Sequence, residues 1–519
     1  MDHGFGNWPT IHALRNPSRP AFIDAATGHV STWVEFEERT NRLAEAMSAR
    51  GVSPGDRVGL LTLNSVAMME IYFAVAKLGA ISVPINARLT ASEVNYILRD
   101  SGASFVFESS VLSGVMDEAI GDTSIRERVV VPAADSAADS GVPSAYEQFL
   151  QTGQPHRVER EVGADAVCVI MYTSGTTGQP KGAMLTHHNF LWNAINALGF
   201  GEGLSREDIT ISAAPLFHIG ALGVHTMPLA FIAGCSIIME SFTPAAWLEL
   251  AENYRITKAF NVPVMWAAIA NDPGLASRDL SALTFAVAGG APCPLVVIKA
   301  LQSAGMQFTE GFGMTETAPV AACLQPEDVI DHAGSIGRPV NHMDFRLVDA
   351  DDQPVGVDEV GELSVRGPSV FVGYWNRPEE SAHALRGGWF HTGDMARVDA
   401  DGFYTLVDRK NDMIISGGEN VYPIETEQVL YEHPDVVEVA VIGVPDDAWG
   451  ELVTAVVVIS DGANVDAEDL IAWTRARLAA FKVPKRVEFV EQLPRNATGK
   501  ILKRELRHNL GGVSGYVSR

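Results

Sequence analysis

The sequence predicts an α/β protein with a large N-terminal domain of mixed and parallel sheets flanked by helices, a small β-barrel-like subdomain, and a smaller α+β C-terminal domain. Three observations carry this expectation. Short apolar runs bounded by turn residues alternate with amphipathic stretches through roughly the first two-thirds of the 519 residues, as when helices cross over between parallel strands. From about residue 343 the texture becomes short strands and turns rich in Asp-Gly and Gly-Gly pairs, which suggest hairpins or a small barrel. Beyond residue 410 the alternation resumes as an independent unit.

In chain order, residues 39–50 place Leu43, Ala46 and Met47 on one helical face, and Gly51 follows as a stop. Residues 57–63 form a short apolar run, a helix begins at Ala67, and 81–84 read as a strand. The same strand signal recurs at 105–107, 167–172, 235–239 and 284–288. In the C-terminal part, helix 424–432, strands 436–444 and 454–460 and helix 467–480 are predicted. The domains are therefore expected at 1–409, including the β-rich part 343–409, and at 410–519.

Composition excludes several classes of function. With 64 acidic against 38 basic residues the formal charge is −26, so a polybasic nucleic-acid binder is not expected. An apolar content of 47% is too high for a chain disordered throughout. Cys168, Cys235, Cys293 and Cys323 are widely spaced and form no CxxC pair. They predict buried free thiols in a reducing compartment. The N-terminus lacks a basic start and an apolar signal stretch, so a cytoplasmic location is expected. The longest apolar candidate, 226–239, is too short for a spanning helix, which leaves only peripheral membrane contact. Locally the charge balance reverses: residues 481–510 hold eight Lys or Arg against three Glu, a balance of +5. That run fits a solvated helix face as well as a phosphate-facing surface.

The most informative run is Tyr172-Thr173-Ser174-Gly175-Thr176-Thr177-Gly178-Gln179-Pro180-Lys181-Gly182, directly after an apolar strand. Glycines let backbone approach an anion, exposed N–H groups make a nest for phosphate oxygens, and hydroxyls add donors. Lys181 stands three places beyond Gly178, so the Walker A pattern is absent. The loop nonetheless points to a polyphosphate ligand. His187 and His188 suggest metal only superficially, since adjacent side chains diverge in regular structure; they read as structural.

The run resembles the signature of the adenylate-forming enzymes, which include acyl-CoA synthetases, luciferases and adenylation domains. Further motifs of that family follow in order: Pro215-Leu216-Phe217-His218, Gly289-Gly290-Ala291-Pro292, Gly311-Phe312-Gly313-Met314-Thr315-Glu316, Trp389 to Asp394, Asp408 to Asp412, Gly417 to Pro423, and Pro494 to Lys500. The resemblance covers almost the whole chain, and is closest to bacterial fatty-acid–CoA ligases. It implies stacked sheets in the large domain, a mobile C-terminal domain, ATP and Mg²⁺ at the site, and coenzyme A as co-substrate.

Carried over residue by residue, the resemblance implies that Thr173, Ser174, Gly175, Thr176, Thr177, Gly178 and Lys181 bind the phosphates of ATP. Gly289, Gly290, Ala291, Gly311, Phe312, Gly313, Met314 and Thr315 line the rest of the nucleotide site, with Thr315 at the α-phosphate. Glu316 is implied as the magnesium ligand, Asp394 as the ribose ligand with Arg409 as its partner, and His218 as the ring beside the acyl carboxylate. Lys500 is implied as the catalytic lysine, Asn411 as the hinge, and Ser416, Gly417, Gly418, Glu419 and Tyr422 as the CoA-binding segment. On residue pattern alone the default readings are a solvated cap for Glu316, an Asx-turn for Asp394 and a core histidine for His218.

The implied reaction is activation of a carboxylic acid by ATP, with loss of pyrophosphate, then transfer to CoA with loss of AMP. The small residues after His218, Ile219-Gly220-Ala221-Leu222-Gly223, suggest an open apolar tunnel and hence a medium- or long-chain fatty acid. An aromatic acid of the cinnamate or benzoate type is the alternative, and a non-catalytic acyl or nucleotide sensor is the reading from another class. The resemblance is compatible with a homodimer.

Overall fold

The computed structural model describes residues 4–133, 143–158, 160–173, 179–199, 203–291, 293–409, 412–416, 419–446, 449–460, 462–495 and 501–511, with backbone only at 408, 409, 420 and 511. By its contacts the chain divides into two compact units. The first comprises Met1–Phe345 and Val365–Phe390, the second Arg346–Ser364 and His391–Arg519.

In the first unit a six-stranded sheet runs Glu127–Val131, Phe105–Ser109, Arg57–Leu61, Ile81–Pro84, Val167–Thr173, Lys181–Thr186. The first five strands are parallel and the last is antiparallel to its neighbour. A second parallel set joins Phe308–Gly313, Phe285–Ala288, Lys258–Asn261, Ile209–Ser212, Cys235–Ile238 and Pro20–Asp24. Most residues of these strands are buried, as expected where helices cover both faces of a parallel sheet. Phe285–Ala288, for example, is buried at every residue.

Helix positions follow local signals more closely than face patterning alone suggests. The helix expected at 39–50 starts at Trp33 instead. Thr32 caps it: the Glu35 N–H donates to the Thr32 hydroxyl, and the Thr32 N–H donates to the Glu35 carboxylate at 2.8 Å. Gly51, at φ +87°, ends the turn that follows. The helix expected from Ala67 spans Val66–Lys77, capped by Ser65. Lys77, near its end, is buried against Glu37 at 2.7 Å, so this charge pair ties two helices together.

The second unit does not follow the texture boundary at 409. Residues 346–364 group with 391–409 and the C-terminal chain, while 365–390 return to the first unit. Hydrogen bonds explain the grouping: the Thr392 hydroxyl donates to Leu363 O at 2.8 Å, and Asp358 N donates to Val398 O at 2.8 Å.

Further along, Val436–Asp446 and Gly450–Ile459 form a long antiparallel pair, with Arg486–Phe489 added parallel to the second. Alternation sorts the side chains between two cores. Val439, Val441, Val453 and Val457 face Leu430 and Leu470 of the helices Pro423–Tyr431 and Ala467–Arg475. Ala440, Ile442 and Val456 face Leu506 of the helix Lys503–Gly511. Several basic side chains of the 481–510 run are paired within this unit, Lys482 with Glu425 at 2.6 Å, Arg495 with Glu438 at 2.8 Å, Lys503 with Glu427 at 2.8 Å and Arg507 with Asp412 at 2.7 Å. Much of the local positive charge is therefore engaged in packing the tail.

Candidate active site

The strands Val167–Thr173 and Lys181–Thr186 pair antiparallel, with Thr173 opposite Lys181. Thr173 and Lys181 thus anchor the two ends of the phosphate loop; Ser174 to Gly178 lie outside the described residues. The Tyr172 hydroxyl donates to Asp100 Oδ2 at 2.7 Å, which fixes the outgoing strand. On the return strand, Trp375 N donates to Gly182 O at 2.7 Å and Met184 N to Gly373 O at 2.9 Å. Residues 372–375 are thereby laid alongside it. This places the Tyr374 ring 5.6 Å from Lys181 Nζ, while its hydroxyl donates to Glu316 Oε1 at 3.0 Å. Lys181 and Glu316, 135 positions apart in sequence, meet at one tyrosine.

Parallel pairing of Ala288 with Glu310 brings Gly289-Gly290-Ala291 beside Gly311-Phe312-Gly313, which is the end of the strand Phe308–Gly313 and not the turn its glycines suggest. A Cβ on Gly289 would lie 3.4 Å from Gly311 O and 3.1 Å from the Phe260 ring. Gly290 takes φ +89°, a conformation suited to glycine. A Cβ on Gly313 would lie 1.7 Å from Pro319 O, so no side chain fits there. Met314, Thr315 and Glu316 follow in a single 3₁₀ turn, Thr315–Thr317. The Thr317 hydroxyl accepts from Met314 N at 3.0 Å, and Glu316 O accepts from Phe371 N at 2.9 Å. The Glu316 carboxylate is buried, so the reading of this residue as a solvated cap does not apply.

His218 is the N-cap residue of the short helix Ile219–Ala221, which continues into a π-helical turn at Leu222–Thr226. Such turns insert an extra residue per turn and often accompany functional sites. The His218 Nε2 atom is shielded from solvent without a hydrogen-bond partner. Burial, assisted by the Arg88 charge, pushes its pKa down to about 4, so the ring is neutral at physiological pH. The glycines after it do not themselves open space. A Cβ on Gly220 would meet the Phe260 ring at 3.0 Å, and one on Gly223 would meet Pro319 Cδ at 2.2 Å; Leu222 is itself buried. Here the glycines serve close packing.

The second unit carries the remaining predicted residues. Asp394 is buried next to Gly393, at φ +74°, and its N–H donates to the Thr392 hydroxyl at 3.0 Å. Its backbone pairs directly with that of Arg409. Ser416 and Glu419 pair antiparallel; Gly417 and Gly418, between them in sequence, lie outside the described residues. Ser416 is buried, Glu419 exposed, and Tyr422 is the N-cap residue of Pro423–Tyr431. Asn411 and Lys500 also lie outside the described residues. The residues bracketing the latter, Arg495 and Ile501, pair as an antiparallel bridge, with Leu502 N donating to Pro494 O at 2.8 Å.

Sequence reasoning missed Tyr374, Phe260 and Glu310. Glu310 accepts from Cys293 N at 2.7 Å and fastens the segment after Ala291. The only sequence hint of Tyr374 was an aromatic pair, Tyr374-Trp375, following Gly373. The two adjacent histidines are structural: His187 Nδ1 accepts from Phe5 N at 3.2 Å, and His188 contacts Asp165 at 3.3 Å. All four cysteines are buried and free. No helix among the described residues is long and apolar enough to cross a membrane. Those residues contain no group of three or more His, Cys, Asp or Glu poised around a cation. One buried carboxylate suits Mg²⁺ if phosphate oxygens and water complete its shell.

Residues 10–375 match the AMP-binding enzyme family, and residues 425–500 match the AMP-binding enzyme C-terminal domain. The chain is 43% identical over 511 residues to a feruloyl-CoA synthase of Amycolatopsis, covering 98% of this chain and 100% of that protein. It is 36% identical over 528 residues to a long-chain-fatty-acid–CoA ligase of Salmonella typhimurium, covering 96% and 93% respectively. Its fold matches ATP-bound MatB from Rhodopseudomonas palustris with a TM-score of 0.90 and 30% identity over 98% of this chain and 99% of that one. The chain belongs to the AMP-binding enzyme family of the adenylate-forming superfamily, and it is an acid–thiol ligase of the AMP-forming kind.

Proposed function

We propose that the enzyme forms the CoA thioester of an aromatic carboxylic acid of the cinnamate or benzoate type through an acyl-adenylate. The observation that carries this reading is the Phe260 ring, packed against Gly220 and Gly289. It fills the space in which the sequence suggested a tunnel for a long aliphatic chain. A flat ring fits beside flat glycine backbone with little loss of contact, and aromatic pairs add to that packing. The relationship to the feruloyl-CoA synthase, at 43% identity, supports the same choice over a medium- or long-chain fatty acid.

In the first half-reaction a substrate carboxylate oxygen attacks the α-phosphorus of ATP, and pyrophosphate leaves. The hairpin flanked by Thr173 and Lys181 supplies backbone donors and an ammonium for the phosphate charge, which must be held in place while it redistributes. Glu316 would hold Mg²⁺ together with the phosphates, and the ion would supply charge neutralisation on the triphosphate. Tyr374 fixes that carboxylate in one orientation. The neutral His218 ring lies beside the acyl carboxylate and adds no competing positive charge. Asp394 accepts from the ribose hydroxyls with Arg409 as its partner, and Lys500 stabilises charge at the attacking carboxylate and α-phosphate.

In the second half-reaction the CoA thiolate attacks the acyl carbonyl and AMP departs with the bonding electron pair. The C-terminal domain, 410–519, turns about Asn411 between the steps. This withdraws Lys500 and presents Ser416 to Tyr422 to the pantetheine arm. Pyrophosphate release from a panel of cinnamates, benzoates and saturated fatty acids, with and without CoA, tests the reading. Cinnamates or benzoates are expected to give the highest kcat/KM; preference for a C8 to C16 fatty acid over all of them would overturn it.

A further inference from the structure

Phe260, whose ring meets Gly220 and Gly289, also lines a pocket together with Thr210, Ser212, Ala221, His225 and Thr226. The strands Ile209–Ser212 and Lys258–Asn261 pair in parallel with Thr210 beside Lys258. Alternation therefore puts Thr210, Ser212 and Phe260 on one sheet face, and the π-helical turn Leu222–Thr226 packs against both strands. The space has room for about one water-sized group.

The polar groups around it fall into two sets. Ser212 and Thr226 satisfy one another at 2.7 Å, and Thr226 also donates to Ala221 O at 2.8 Å. By contrast His225, 2% exposed, has no hydrogen-bond partner on either ring nitrogen, and Thr210, 1% exposed, has none on its hydroxyl. A buried donor or acceptor left unmade is costly. Two such residues facing one small pocket point to a polar group that arrives from outside the fold.

We propose that His225 and Thr210 form the polar end of the acyl pocket and hydrogen-bond an oxygen substituent on the ring of the aromatic acid. This inference rests on the aromatic-acid reading above. His225 lies seven residues beyond His218 on the continuous helical run Ile219–Thr226, so the two imidazoles are set apart along it as the carboxylate and the ring oxygen are set apart in a substituted aromatic acid. Burial and the nearby Lys258 charge push the imidazole down to about 3, so it presents one N–H and one acceptor nitrogen at neutral pH. A phenol donates to the acceptor nitrogen while its oxygen accepts from the Thr210 hydroxyl. An acid lacking that oxygen leaves both groups unmade, and such sites discriminate strongly.

The test compares 4-hydroxycinnamate, cinnamate and octanoate by pyrophosphate release with wild type, His225→Leu and Thr210→Val. Each variant is expected to lower kcat/KM for 4-hydroxycinnamate about tenfold, one hydrogen bond's worth, with cinnamate and octanoate changed less than twofold. Equal losses on all three acids overturn the subsite and leave the aromatic reading standing. Wild type that uses octanoate but neither cinnamate overturns both. Should His225→Leu fail to fold, the near-isosteric Thr210→Val decides alone.

Discussion

The Tyr374 hydroxyl donates to Oε1 of Glu316 across 3.0 Å, and Lys181 lies 5.6 Å from the centre of the same ring. A hydrogen bond to a carboxylate is worth about 1.5–3 kcal/mol. Tyr374→Phe keeps the ring beside Lys181 and removes only that bond. The expected outcome is a tenfold or greater fall in kcat/KM for pyrophosphate release, with a raised Mg²⁺ requirement. Glu316→Gln should lower it further, on the order of 100-fold. An unchanged magnesium titration in Tyr374→Phe would count against Tyr374 as a positioning residue.

Lys500 and Gly418 should separate the two half-reactions. Lys500→Ala is expected to lower acyl-adenylate formation by about 100-fold or more while sparing thioester formation from supplied acyl-adenylate. Gly418→Trp should do the reverse, leaving pyrophosphate release intact and blocking thioester formation. Single-turnover assays of each step decide; equal loss of both steps in either variant removes that residue from its proposed role.

At Gly313 the constraint is steric. With a Cβ projected 1.7 Å from Pro319 O and 2.6 Å from its carbonyl carbon, Gly313→Ala must move backbone. A loss of about 3 kcal/mol or more in unfolding free energy is expected, within the range of severe overpacking, measurable by urea denaturation. Gly305, with nothing within 4 Å of its Cβ position but φ +89°, provides a control for backbone strain without a clash.

Glu310 gives a pH signature. Burial pushes its carboxyl from 4.5 up to about 7, partly opposed by the Cys293 N–H. The folded chain then binds this proton more tightly than the unfolded chain does. Its contribution to stability is complete below 4.5 and is lost as pH rises through about 7. Relative to Glu310→Gln, wild type should lose about 3 kcal/mol between about pH 5 and about pH 8. Parallel stability curves for the two proteins would refute the assignment.

Strand positions were legible because buried parallel strands are short, apolar and bounded by turn residues; the expected 81–84 strand is Ile81–Pro84. Helix ends were less so where capping decided them, as at Thr32 and Glu35. Motifs contiguous in sequence, such as Gly311 to Glu316, could be read together, although their first half ends the strand Phe308–Gly313 and only Thr315–Thr317 is a turn. Tyr374 could not, since its role arises from residues 372–375 lying along the Lys181–Thr186 strand. Small residues at Gly220 and Gly223 likewise signal space in sequence, and only the fold shows that Phe260 and Pro319 occupy the space beside these two glycines.

The chain's path between units, into the second at 346–364, back for 365–390, and out again from 391, bears on how such enzymes recombine. Thr392 bonds Leu363 O and Asp358 N bonds Val398 O, so segments on either side of the 365–390 excursion are held in one unit. A single genetic crossover between relatives anywhere in 365–390 would join strands of different parentage inside one sheet. Exchange of the whole second unit therefore requires two separated gene segments, 346–364 and the chain from 391 onward, to travel together.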